Sequence, residues 1–174
     1  MTVSTAIPGY VAGTWKADPA SCTIAFSVRQ LGISKARDRF TGYDVTVVTG
    51  ANPQHSSVTA TIDVGSLDTR NPRRDKHLRS AAYLDAEQFP EMAYRSTRVL
   101  PTDNGWVIDG NLTLHGVTAQ VPLALTLNEF DGRRARFTAT ATVSRRKFGT
   151  GPGLGGVVAD AVSISLDIHA IREN

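Results

Sequence analysis

Apolar residues recur at every second position along nearly the whole chain, and this period limits the fold more than any other feature. From Val58 to Val64 the even positions hold Val58, Ala60, Ile62 and Val64, with Thr59, Thr61 and Asp63 between them. Successive side chains of a strand leave opposite faces of the sheet, so this is the code of a strand with one dry and one wet face. The same code sets Trp106, Ile108, Gly110, Leu112 and Leu114 against Val107, Asp109, Asn111, Thr113 and His115. Val121 to Leu127, Phe137 to Val143, Val162 to Ile168 and Ile24 to Val28 repeat it. Strands are predicted over 14–18, 23–30, 37–49, 57–65, 92–100, 105–115, 118–130, 135–146 and 161–171. Turn chemistry at Gly50-Ala51-Asn52-Pro53, Asp103-Asn104-Gly105, His115-Gly116 and Asp131-Gly132 makes the links short, which favours antiparallel hairpins. An open sheet of that size would leave its apolar face wet, so the strands must stack as two sheets or close into a barrel.

One segment breaks the period. Asn71 is a capping residue, Pro72 suits the first helical position, and Leu78, Ala81 and Ala82 fall three and four residues apart, which predicts a short helix over 72–84 packed across one end. With Arg70, Arg73, Arg74, Lys76, His77 and Arg79 its polar part is strongly basic; this is either a solvated face or an anionic head-group site.

At 174 residues and 41% apolar content the chain makes one domain with a real core, here placed at 13–174 behind an extension at 1–12. The balance of 19 basic against 16 acidic side chains is too even to argue alone for nucleic acid or membrane. No apolar run reaches the length of about 18 residues that a spanning helix needs, so no stable membrane insertion is expected. Met1 to Trp15 lacks both a basic and an apolar targeting region, which points to the cytoplasm. A lone Cys22 excludes an internal disulfide and a cysteine metal cluster.

Five motifs in order carry a resemblance to a known family. Gly13-Thr14-Trp15 through Asp18-Pro19-Ala20, followed by Phe26-Ser27-Val28-Arg29 and Leu31-Gly32, resembles the opening of the YceI-like family of lipocalin-like polyisoprenoid-binding proteins. Ser66-Leu67-Asp68-Thr69 with Arg74-Asp75-Lys76-His77-Leu78 is similar to its turn and helix, and Gln88-Phe89-Pro90-Glu91-Met92 to its Pro-marked strand entry. Gly110-Asn111-Leu112-Thr113-Leu114-His115-Gly116-Val117-Thr118 resembles its hairpin, and Arg145-Arg146-Lys147-Phe148-Gly149 its Arg-x-x-Phe-Gly motif. The resemblance implies an all-β fold: an elongated antiparallel up-and-down β-barrel of about eight strands with one short helix. It further implies a lumen for a long amphiphile such as a polyisoprenoid, an isoprenoid quinone or a fatty amide or acid, for carriage, storage or sequestration. A homodimer and a bacterial source are implied as well, and many family members are exported. No cofactor beyond such a bound lipid-like molecule is expected.

The residues alone leave open a dry core or a lumen, although Ala60, Gly110, Ala139 and Ala141 are small and face inward. Shared parity and the resemblance together nominate Phe26, Val28, Ile62, Met92, Tyr94 and Trp106 as ligand-lining, together with Leu112, Leu114, Val143 and, on the helix, Leu78. Gln30 and Arg98 fall on the inward parity and are the candidates for a head group, with help from Arg74; a register shift would instead put Arg98 in solvent. Where family members commonly carry histidines this chain has Ser21-Cys22 and Gln30, so the head-group contact should depend little on pH near neutrality.

Other constellations fail. His55, His77, His115 and His169 lack metal-ligand spacing. Gly151-Pro152-Gly153-Leu154-Gly155-Gly156 matches a dinucleotide fingerprint but opens no helix and reads as a loop. No nucleophile elbow is present, and no catalytic residue is assigned. Two alternatives remain: an enzyme using the same lumen, drawing on Gln30, Arg98, Asp75 and His77, and a binding module for nucleic acid or protein built on the 15 arginines and the aromatics. Phe26, Trp106 and Phe137 lie on the apolar parity, so nucleic acid is not the expected partner.

Overall fold

A computed structural model of the chain describes residues 7, 9–30, 34–103, 105–150 and 158–173, with the side chains of 28–30, 34–37 and 158–160 outside that description. Among the described residues twelve strands form: β1 (Gly13–Ala17), β2 (Thr23–Gln30), β3 (Ser34–Phe40), β4 (Tyr43–Thr49), β5 (Ser57–Asp63), β6 (Leu67–Asp68), β7 (Glu91–Thr102), β8 (Gly105–Leu114), β9 (Val117–Gln120), β10 (Leu123–Phe130), β11 (Arg134–Ser144) and β12 (Val158–Arg172). A single α-helix among the described residues, α1 (Pro72–Arg79), lies between β6 and β7. The wall runs β1-β4-β5-β7-β8-β10-β11-β12, and Trp15↔Arg172 and Ala17↔Ala170 close β12 back onto β1. The result is an eight-stranded antiparallel barrel. β12 is long enough to serve two neighbours: its last residues pair with β1, while Val162↔Val28 through Asp167↔Thr23 pair with β2. β2 then carries β3 and β6, which continue the wall at that end.

The alternation holds between the bulges that interrupt β7, β10 and β12. Trp15, Ile62, Ile108, Leu112, Phe137 and Ile168 are buried, while Thr59, Thr61, Thr140, Thr142, Ser163 and Ser165 are exposed. Where the predicted strands differ, the chain changes parity or loses a donor. The strand expected over 37–49 is two, because Thr41 and Gly42 turn: the Thr41 amide donates to Ser66 O at 3.2 Å and the Asp63 amide to Gly42 O at 2.9 Å. Even-numbered Phe40 and odd-numbered Val45 and Val47 are all buried, which a continuous strand forbids. The run expected over 118–130 breaks at Pro122, which has no amide to give. The helix ends at Arg79 instead of continuing to 84. The Ser80 hydroxyl takes the His77 carbonyl, and the Ser80 carbonyl receives the Tyr83 amide at 3.0 Å and the Asp85 amide at 2.9 Å, so the chain turns and leaves Ala81 and Ala82 exposed.

The barrel has two dissimilar ends. At one, residues 9–12 pack over the opening. Tyr10 Oη donates to Gly50 O at 2.7 Å, its ring meets Phe130 edge-on at 5.4 Å, and Trp15 Nε1 donates to Thr49 Oγ1, which in turn donates to Val11 O at 2.8 Å. Gly9, with φ +77°, rides so close that a Cβ would sit 2.0 Å from Phe130 O. At the other end stand α1, the β8–β9 turn at His115-Gly116 and the short 3-10 turn Arg146–Phe148. His115 Nδ1 lies 3.1 Å from Phe148 O, and Phe89 packs on the His115 ring at 4.8 Å. The His115-Gly116 and Phe148-Gly149 motifs therefore staple one hairpin to the segment after β11. The glycine-rich run 151–156 lies outside the described residues.

Trp15 is 1% exposed where β1 meets both closing neighbours. Trp15→Ala should lower unfolding stability by about 3–5 kcal/mol, whereas Thr142→Ala on the wet face should change it by less than about 0.5 kcal/mol; chemical denaturation of the two variants checks this.

Candidate functional site: an apolar tube

Inside the wall a cavity of about 170 Å³ runs lengthwise, from Tyr10, Pro53 and Ser56 at the arm end to Phe26, Phe40 and Met92 toward α1. An empty space of about 150 Å³ lined by hydrocarbon stays dry and takes benzene-sized apolar guests, so this tube can hold a slender apolar group and excludes water. The polar atoms along it are engaged by the protein. Tyr94 Oη donates to Val121 O at 2.8 Å, Tyr10 Oη is committed to Gly50 O, and Ser56 Oγ accepts the Gly50 amide at 3.2 Å. No buried side-chain nitrogen or oxygen among the described residues lacks a partner. A guest inside would find hydrocarbon only.

The structure brings Phe26, Ile62, Met92, Tyr94, Trp106 and Leu112 together around this cavity. Leu114 is half-buried, Val143 is buried and Leu78 is half-buried on α1; all three pack with the core but do not line the cavity. The side chains of Val28 and Gln30 lie outside the described residues. Ala60 and Ala139 face the cavity, while Ala141 packs beside it.

Two expectations are corrected. Arg98 does not face inward: a bulge between Ser96 and Arg98 inserts Thr97, flips the parity of β7 and sends Arg98 outside, 64% exposed, where its Nη2 pairs with Asp109 Oδ2 at 2.9 Å. Val99 takes the inward position and lines the cavity. Gly110 does not leave empty room either, because the Tyr94 ring fills the space beside it.

The inward polar group is one that sequence reasoning missed. Asp38 stands opposite Phe26 on β3, 3% exposed, and Arg74 of α1 reaches it with Nη2 at 2.9 Å from Oδ2. Burial pushes the Asp38 carboxyl above its ordinary value, the Arg74 guanidinium pulls it back, and Asp75 and Asp68 add to the rise. The signal was its even parity with Phe40, obscured when 37–49 was read as one strand. Polar contacts hold α1, which buries none of its residues. Asp75 accepts from the Thr69 amide at 2.8 Å and the Thr69 hydroxyl at 2.6 Å, and these hydrogen bonds lower its pKa. Arg79 Nη1 donates to Gly65 O at 3.2 Å.

Elsewhere, Cys22 Sγ accepts the His169 amide at 3.2 Å and lies 3.3 Å from His169 O, with burial raising the thiol pKa. Outside the barrel a polar depression collects Asp18, Glu129, Asp131, Arg134, Arg136 and His169. Beside it, Arg136 donates to Asp167 at 3.1 and 3.0 Å. No group of His, Cys, Asp and Glu among the described residues is arranged to hold a metal ion.

A closed antiparallel barrel around an apolar tube, capped by a helix tied on through polar contacts, defines a lipocalin-like barrel. The chain belongs to the YceI-like family: the profile of the YceI-like domain matches residues 15–170. It is 34% identical over 156 residues to a UPF0312 protein of Photorhabdus laumondii, covering 86% of this chain and 81% of that one, and equally similar to one from Pseudomonas aeruginosa. Among solved structures, Burkholderia cenocepacia BcnA matches with a TM-score of 0.80 at 24% identity, over 88% of this chain and 98% of that one. A polyisoprenoid-binding domain from Saccharophagus degradans, implicated in plant cell wall breakdown, matches with a TM-score of 0.75 at 12% identity, over 91% and 98%.

Removing Arg74 would strand a buried carboxylate. Arg74→Ala should lower stability at pH 7 by about 1–3 kcal/mol. Without its cation Asp38 titrates still higher, so the loss is fully present above that raised pKa and relieved as pH falls through it. Thermal unfolding of wild type and Arg74→Ala across pH 4 to 8 tests the sign, and Asp38→Asn added to Arg74→Ala should recover most of the neutral-pH loss.

Proposed function

We propose that the barrel binds the hydrocarbon chain of a lipid-like amphiphile, of the polyisoprenoid kind, in its tube, and serves to carry, store or sequester it. The observation that carries this reading is the tube itself, closed by a continuous ladder and lined by apolar side chains whose few polar neighbours are already bonded within the protein. Each methylene moved from water into such a space contributes about 0.8 kcal/mol, so affinity grows with chain length and needs no polar anchor. The polyisoprenoid-binding domain of Saccharophagus degradans, alike in fold, supports the choice of chain.

The present volume suits a short stretch of chain, so a longer one needs lining side chains to swing aside. Met92, unbranched and soft, is suited to that. In this reading the head group points toward α1. The arm end is stopped by Tyr10, whereas the α1 end offers Asp38 and Arg74, a pair that can accept from and donate to a neutral head such as an alcohol, amide or quinone. The tube lining holds no unpaired acid, base or nucleophile among the described residues, which favours binding over turnover. None of the twelve aromatic residues is exposed, which disfavours a surface on which bases stack.

Native mass spectrometry of purified protein, followed by solvent extraction, should find a long-chain lipid. Ala139→Phe fills the tube, and it should abolish uptake of a long-chain prenol while overpacking costs folding about 1–3 kcal/mol. Failure of the wild-type protein to take up any long-chain lipid, or unchanged uptake by folded Ala139→Phe, overturns the reading.

A further inference from the structure

Gly110 occupies an inward position of β8, in line with Trp106, Ile108 and Leu112. Its φ is not in the left-handed region, so the backbone does not demand glycine there. Space does. A Cβ at residue 110 would lie 2.4 Å from both Cζ and Oη of Tyr94 and 2.7 Å from its Cε2, far inside the roughly 3.5–4.0 Å at which carbon atoms rest against one another. Tyr94 comes from β7, where it pairs with Leu112, and its ring leans across β8 over Gly110 until Oη reaches Val121 O at 2.8 Å. The ring is thereby laid along the wall. Any side chain at position 110 pushes it the other way, since behind Gly110 is the backbone of the wall, and the open space before the ring is the tube that Tyr94 lines with Ala60 and Met92.

We infer that Gly110 determines the specificity of the tube, its missing side chain forming the recess that holds the Tyr94 ring against the wall and so keeps a bore wide enough for a methyl-branched isoprenoid chain. The inference rests on the lumen-binding reading. An isoprenoid chain carries methyl branches at regular intervals and is thicker than a straight alkyl chain, so a displaced ring obstructs the first before the second. The effect belongs to the pair: with a smaller residue at 94, the side chain at 110 has nothing to displace.

The test titrates geranylgeraniol and hexadecanol into wild type, Gly110→Ala and Gly110→Ala/Tyr94→Ala, by displacement of a fluorescent lipophilic probe, with thermal unfolding alongside. The expected result is that Gly110→Ala loses geranylgeraniol affinity by about tenfold or more, roughly 1.4 kcal/mol, while hexadecanol stays within about threefold, and that the double variant regains the prenol. A folded Gly110→Ala that binds geranylgeraniol like wild type overturns the inference, as does a double variant that does not regain it. If Gly110→Ala alone does not fold, recovery of both folding and prenol binding in the double variant supports the inference, and their absence overturns it. Wild type binding neither probe overturns the lumen reading itself, and this inference with it.

Discussion

Everything inside this protein depends on the short ladder between β12 and β1. Trp15↔Arg172 and Ala17↔Ala170 turn a sheet with one wet and one dry face into a tube, and only closure gives the dry face somewhere to be dry. Without those pairs Trp15, Val47 and Ile168 would line an open trough, and two edge strands would offer unpaired amides to other chains. The wall comes first, and the cavity is its consequence. The long span of β12 allows this, since one strand can seal the barrel at one end and carry the β2–β3 hairpin at the other.

The period-two pattern made the architecture legible because in a barrel parity alone decides which side chains go inside. It failed where parity is reset. The bulge at Thr97 moved Arg98 outward and Val99 inward, and nothing in the composition of β7 announces an extra residue. The turn at Thr41-Gly42 split one expected strand into two and hid Asp38, whose neighbours Arg37 and Arg39 suggest a solvated stretch. Phe26, Ile62, Met92, Tyr94, Trp106 and Leu112 share one parity and converge on one cavity. The pairing of Asp38 with Arg74 was not legible, because the partner comes from a helix dozens of residues away and no local spacing encodes that meeting.

Gly110 shows a different limit. A small inward residue reads as room, yet whether the room is empty depends on which neighbour leans into it. Ala60 and Ala139 keep theirs open; Gly110 gives its own to Tyr94. The family motif that contains Gly110 thus combines two physical demands: a left-handed turn at His115 and Gly116, and a ring seat five residues earlier at Gly110.

The seam between β1 and β12 also sets an order of events. It joins residues 15–17 to 170–172, a separation of more than 150 residues. Contacts of that range make folding slow, because most of the chain must be ordered before they form. During synthesis, β1 waits with one edge unpaired until the final strand has been made, and through that interval the future lumen is an exposed apolar groove. The nascent chain is therefore most vulnerable to aggregation just before β12 emerges, and most in need of a chaperone or an apolar guest to shield it then.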